Sequence, residues 1–176
     1  MQFRNIMAGL VGTLLLAGAV AIAPAEAGKK LTYGSYLPAP HLAHKSGLEP
    51  FFKRVEAETK GELTFELFPG GAMGGGKAML SIVRDGIVDS SIIIDAYIKR
   101  DIPVSAAITE MAILGDNAMA MAGAANEMHL LDCPQCEAEL KGNKVKPLAY
   151  YSTSSYMLMC TKPVESLADV KGLKIR

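Results

Sequence analysis

Hydrophobic and polar residues alternate along Lys30–Tyr36 (KLTYGSY), the spacing of a first strand. Leu37-Pro38-Ala39-Pro40 breaks it. From Leu42 to Thr59 the period changes to that of a helix. Leu48, Phe51, Phe52 and Val55 form one apolar stripe, and Lys53, Arg54, Glu56, Glu58 and Lys60 take the solvated side. Gly61 stands where a C-terminal cap is expected. Glu62–Phe68 alternates again and predicts a second strand. Met79, Leu80, Ile82 and Val83 predict a short helix stopped at Asp85-Gly86. Ser90–Asp95, apolar and β-branched, predicts a third, buried strand. Strands separated by helices in this order make a β-α-β-α-β unit with a parallel sheet, an α/β fold.

Beyond this unit the pattern is less regular. Pro103–Leu114 is apolar without a clear period. Asn117–Leu131 predicts a helix with Met121, Ala125 and Met128 turned inward. Such a Met stripe is core filler. Val145–Ser152, Met157–Thr161 and Leu173–Arg176 predict further strands, and Ser166–Asp169 has capping-box spacing ahead of Gly172.

Residues 1–27 follow a different rule. Arg4 lies in a short polar start, Ile6–Ile22 carries no charge, and Ala25-Glu26-Ala27 offers small residues at the two positions that a signal peptidase reads. Glycines at 9, 12 and 18 and Pro24 fit a spanning helix poorly. We therefore expect a signal peptide cleaved after Ala27. No cysteine follows it for a lipid anchor, and no later run is long enough to span a bilayer. Residues 28–176 are expected to be exported and soluble, with no membrane insertion after cleavage.

Half of the 176 residues are hydrophobic, which excludes a disordered chain. Lys plus Arg and Asp plus Glu both number 18, so no net field exists to hold a nucleic-acid backbone. Without Trp, and with 6% aromatics, a base-stacking platform is also disfavoured.

Three motifs bear on chemistry. Gly71–Lys77 (GAMGGGK) has the G-x-x-x-x-G-K spacing of a P-loop between a strand and a helix. Ala78 stands where the Mg²⁺-ligating hydroxyl belongs, so a flexible turn is the better reading. Cys133-Pro-Gln-Cys136 is a CxxC in an oxidising compartment. A structural disulfide among Cys133, Cys136 and Cys160 leads, with one thiol left over. A Cys₃His metal set completed by His129, or thiol-redox chemistry, stays open beside it. His41 and His44, three apart, suit capping and surface contacts. No carboxylate pair or nucleophile motif stands out, so no catalytic residue and no cofactor is expected.

The C-terminal third carries a family pattern. Tyr151–Arg176, above all Lys162-Pro163-Val164, Ser166 and Asp169-Val-Lys-Gly-Leu-Lys-Ile-Arg176, resembles the periplasmic solute-binding proteins of TRAP transporters, the DctP-like family. Leu67–Gly74 resembles the segment after that family's second strand, and Asp85–Asp89 resembles the turn into its third. The resemblance implies a type II periplasmic-binding-protein fold, two α/β lobes closing on a small carboxylate. It implies a receptor that hands an organic acid to the membrane subunits of a TRAP permease, and not an enzyme. Arg176 would fork the ligand carboxylate, as a permanently charged planar guanidinium can. Tyr156, Asp95 and Tyr36 complete the candidate binding set. Tyr156 stands where sialic-acid-type members have a second Arg. Gly76 and Ile94 stand where those members have carboxylates, with Asp95 one further, so that subtype is not indicated. The family continues past the motif arginine, so residues 28–176 are expected to hold most of the first lobe and to lack the second, and to bind ligand poorly by themselves. The alternative is an exported thiol-redox or metal-binding protein using Cys133, Cys136, Cys160 and His129.

Overall fold

The computed structural model describes residues 28–153 and 159–174, apart from the side chains of residues 112–113. The expected signal peptide, Tyr156 and Arg176 lie outside these residues.

Three parallel strands, β1 (Lys29–Gly34), β2 (Leu63–Phe68) and β3 (Ser90–Ser91), form a sheet in the order β2-β1-β3 among the described residues. Lys29 pairs with Leu63 and Gly34 with Phe68, while Tyr33 and Gly34 pair with Ser90 and Ser91. Helix α1 (Glu49–Glu58), entered through a wider turn over Ala43–Leu48, crosses from β1 to β2. Helix α2 (Met79–Arg84) crosses back over β1 to β3. The strand order therefore reverses at β1, and the carboxyl ends of β1 and β3 border the resulting crevice. Ligands of open α/β sheets bind at such points.

The predicted unit is present, with a shorter third strand. After Ser91 the chain leaves β1, and Ile92 and Ile93 turn into the core. Met79, Ile82 and Val88 make one buried cluster; Leu80, Ile98, Ile102 and Leu140 make another, and Ile93 packs against both. Leu48 of the entering turn and Phe52 and Val55 of α1 face inward, and Phe51 sits at the edge. Phe52 stacks on Phe65 of β2 at 4.3 Å between ring centroids and meets Tyr33 of β1 at 5.4 Å. Burial in this aromatic layer pushes the Tyr33 hydroxyl pKa upward.

Helix ends follow hydrogen-bond accounting. After α2, Gly86 N–H donates to Val83 and Ile87 N–H donates to Ile82, a Schellman closure with glycine in the left-handed place. After α1 the same closure puts Lys60 there (φ 52°), with Gly61 one place later than its predicted role.

The second half of the described chain is helical: α3 (Pro103–Glu110), α4 (Ala118–Glu127) and α5 (Pro134–Gly142). The inward face of α4 differs from expectation. Met121, Ala125 and Asn126 are half-buried, Met128 is exposed, and His129 is buried. The helix widens into a π-turn over Met128–Asp132, which rotates the register and carries His129 inward. Val145–Ser152 is not a strand. The Asn126 side chain supplies the two bonds a neighbouring strand would give: Tyr150 N–H donates to its Oδ1 (2.9 Å), and its Nδ2 donates to the Tyr150 carbonyl (2.6 Å). Of the strand predicted over Met157–Thr161, residues 159–161 are irregular, as are 173–174 of the last one; the rest lies outside the described residues. Ser166–Asp169 makes the capping bonds, with Ser166 N–H and Oγ each donating to Asp169 Oδ2 at 2.8 Å, around a turn and not a helix.

Candidate functional site

The crevice at the switch point is built from three loops. The first follows β1. Ser35 N–H donates to Phe68 at the end of β2, and Gly70 and Gly71 N–H donate to Leu37 and Ser35, so the loops after β1 and β2 are tied together. Ser35 and His44 form a hydroxyl–imidazole pair at 2.8 Å. It has the spacing of a nucleophile and its base, but Ser35 is 1% exposed and His44 0%. Ser35 Oγ also accepts from Leu37 N–H, and His44 Nδ1 faces the Ala39 carbonyl at 3.4 Å. Every polar atom of the pair is occupied, so it acts as a clasp that fixes the turn carrying Tyr36. His44 is thus a core residue and not the surface contact expected, whereas His41 does cap, accepting from Ala43 N–H.

The second loop is the glycine turn. Gly74 has φ 146°, and a Cβ there would run into Ile82 Cδ1. The Gly71 and Gly74 amides are spent inside the fold on Ser35 and Gly71, and Lys77 is exposed. The turn is therefore built for close packing and not as a phosphate cradle. Gly76 has a second use: a Cβ on it would lie 3.1 Å from the Tyr97 ring and 3.4 Å from Tyr36 Cγ.

The third loop is the single 3₁₀ turn Asp95–Tyr97 after β3. Tyr97 meets Tyr36 edge-on, with ring centroids 6.4 Å apart. Half-buried Asp95 accepts from Thr109 Oγ1 of α3 at 2.8 Å. Desolvation holds the Asp95 carboxyl above the ordinary carboxylate range; the Thr109 bond and nearby His129 oppose that shift, and Glu139 adds to it. Behind Asp95, His129 is buried with Nδ1 2.9 Å from the Ala125 carbonyl, Nε2 3.3 Å from the Ser105 carbonyl, and its ring stacked on Tyr150 at 4.1 Å. Burial, and then Asp95, push the Tyr150 hydroxyl pKa upward. Glu139 of α5 caps α3, accepting from Val104 N–H (2.7 Å) and from Ser105 N–H and Oγ (3.0 Å each).

Tyr36 and the turn bearing Asp95 are therefore brought together. Tyr156 and Arg176 lie outside the described residues. Sequence reasoning missed Tyr97 and Thr109. Tyr97 is two residues from Asp95 and could have been taken with it; Thr109 lies in a stretch without period and had no signal. Cys133 and Cys136 are disulfide-bonded, and Cys160 is free and exposed. The Cys₃His set is not assembled: two of its sulfurs are consumed by the bond and both His129 nitrogens face backbone carbonyls. Among the described residues no group of three or more His, Cys, Asp or Glu is placed to hold a metal, and no helix is long and apolar enough to cross a membrane.

Comparison with known proteins gives a consistent picture. The model of the family described as bacterial extracellular solute-binding protein, family 7 (DctP), matches residues 33–176. The 2,3-diketo-L-gulonate-binding periplasmic protein YiaO of Escherichia coli K12 is 30% identical over 93% of this chain and 49% of its own. A marine metagenome TRAP solute-binding protein, solved with 3-hydroxybenzoate, shares 24% identity at TM-score 0.56 over 65% of this chain and 35% of its own. A TRAP periplasmic solute-binding protein from Bordetella bronchiseptica, solved with bound mandelate, shares 28% identity at TM-score 0.50 over 58% of this chain and 32% of its own. The chain thus spans about half the length of the curated relative and about a third of the solved ones.

Proposed function

The chain belongs to the bacterial extracellular solute-binding protein family 7 (DctP), and from that premise we propose that it is a periplasmic receptor that captures a small organic acid and delivers it to a TRAP-type permease. The observation that carries this reading is the reversal of strand order at the carboxyl ends of β1 and β3, where Tyr36 meets Tyr97, two residues from Asp95 on the same turn. Both YiaO and the Bordetella protein are described with hydroxylated carboxylic acids. A site for such a molecule needs a fixed cation for the carboxylate, acceptors for hydroxyls and an apolar wall. Arg176 is the cation in this reading, because its fork pairs both carboxylate oxygens and keeps its charge in a dry cleft. Asp95 is the hydroxyl acceptor; its raised pKa reflects a desolvated position in which an ionised carboxylate gains from a donated O–H. Tyr36 and Tyr97 are the wall, and Tyr156 adds a hydroxyl donor. Substrate capture of this kind involves binding and closure, with no bond made or broken.

The test is calorimetric titration of the complete receptor, both lobes included, with mono- and dicarboxylates, with and without hydroxyl groups. One acid should bind with a single site. Arg176→Lys keeps the charge and loses the fork; a charge-assisted bond is worth about 1.5–3 kcal/mol, so affinity should fall about ten- to a hundredfold. Arg176→Ala should cost more, because the ligand charge would be left unpaired. Equal affinity in the parent and both variants would remove Arg176 as the anchor. Binding of neutral sugars in preference to every acid would remove the organic-acid reading itself.

A further inference from the structure

Cys133 and Cys136 are joined at the start of α5, yet their surroundings differ. Cys133, the residue that caps the helix and is 7% exposed, lines an open groove of about 580 Å³ together with Pro134, Glu137, Lys141, Lys144 and Lys146. Cys136 is 0% exposed and does not reach that groove. Cys133 Sγ accepts the Cys136 N–H at 3.1 Å, at the positive end of a nine-residue helix. In the reduced pair that donor and the helix dipole favour a thiolate on Cys133 over Cys136; in the oxidised pair access decides which sulfur is attacked, and only Cys133 borders the groove. The bridge closes a sequence separation of only 3. The stabilisation from a crosslink grows with loop length, so this one constrains the unfolded chain little. The links of α5 to the rest of the fold are separate from it: Glu139 holds α3, and Leu140 sits in the buried cluster. A staple of small structural return, with one of its two cysteines bordering a groove, has the layout of a bond meant to open.

We propose that Cys133–Cys136 is a thiol–disulfide exchange site, with Cys133 the sulfur that a dithiol reductant attacks. The reductant's thiolate bonds to Cys133 Sγ, the Cys133–Cys136 bond breaks, and Cys136 leaves as a thiolate that takes a proton. The reductant's second thiol then attacks the mixed disulfide, closing its own ring and releasing Cys133. Two electrons pass from the dithiol to the chain, which ends with two thiols. This reading is independent of the organic-acid site.

The experiment uses the exported protein carrying Cys160→Ser, which removes the exposed thiol. Dithiothreitol in buffer without denaturant should yield two alkylatable thiols with the circular dichroism spectrum unchanged. Glutathione, quenched with acid partway, should give a mixed disulfide that peptide mass spectrometry maps to Cys133. In the single-thiol proteins, Cys136→Ser should leave a thiol that reacts with an aromatic disulfide about tenfold faster than the thiol left by Cys133→Ser, because thiolate character and access both favour it. A bond that opens only in denaturant would overturn the proposal. So would an adduct on Cys136 in the intact pair, a result that needs neither single-thiol variant to fold.

Discussion

Removing the Glu139 carboxylate tests how the helical half is held to the crevice. Its oxygens accept three hydrogen bonds, from Val104 N–H and from the N–H and hydroxyl of Ser105, and so cap α3 from another helix. Val104 is exposed enough for water to replace the lost partner, but Ser105 is 0% exposed. Loss of a cap costs about 0.5–2 kcal/mol. Stranding a buried donor costs about 1–3 kcal/mol more. The two overlap, so Glu139→Ala should destabilise the protein by about 2–4 kcal/mol. Glu139→Gln keeps one acceptor oxygen and should cost about half of that, roughly 1–2 kcal/mol. Glu137→Ala, an exposed acid on the same helix, is the control and should stay within about 0.5 kcal/mol. Urea unfolding followed by circular dichroism measures all three, with an unchanged denaturant slope showing that stability alone has moved. A second readout separates capping from packing. Glu139 contributes to the upward shift of Asp95, so Glu139→Gln should lower the Asp95 pKa, read by carboxyl-carbon NMR. If Glu139→Ala costs no more than Glu137→Ala, the cap holds nothing. If the Asp95 pKa rises in Glu139→Gln, the electrostatic link has the wrong sign.

Gly74→Ala should destabilise by about 2–4 kcal/mol in the same urea experiment, since φ 146° is strained for an L-residue and the methyl meets Ile82 in a filled core; Gly75→Ala, with open space around it, should be nearly neutral. Asp95 is held above its ordinary pKa, so the folded state binds its proton more tightly than the unfolded state does. Its contribution is present below the ordinary carboxylate pKa and is lost as pH rises through the raised value. Asp95→Asn should therefore gain stability relative to the parent on going from pH 4 to pH 7, and a relative loss over that range would contradict the burial argument. N-terminal sequencing of the exported protein should begin at Gly28, and an intact Met1 in a membrane fraction would refute the cleavage site.

Alternation and helical period were enough to place β1, α1, β2 and α2, because their apolar residues recur at strand or helix spacing. They failed where tertiary partners replaced regular ones. Asn126 satisfies the backbone at Tyr150 with a side chain, a contact between residues 24 apart that no local period encodes. The π-turn after α4 moves the buried face from Met128 to His129, and nothing in the residues around it announces an inserted step. Lys60 and Lys144 adopt left-handed conformations at helix ends where glycine is the usual marker. For Lys144, the following Val145 packs on Leu140, a contact that supports the cap. Of the candidate site, Tyr36 and Asp95 entered through family resemblance alone. Their partners Tyr97 and Thr109 emerge only when the strand order brings the loop after β1 against the turn after β3.

That strand order also sets a timetable. The first strand of the sequence becomes the middle one, and both of its pairings are parallel. Parallel neighbours need long crossovers, so β1 gains no hairpin partner as it forms. The Thr32–Asp89 bonds that close its second edge join residues 57 apart. At a synthesis rate of about 5–20 residues per second, roughly 3–12 seconds separate the appearance of the two. Helices and local collapse form in about microseconds, so β1 has an open edge for far longer than any local event takes. Until Asp89 has been made, that second edge of β1 presents unpaired N–H and C=O groups on which another copy of the chain can pair.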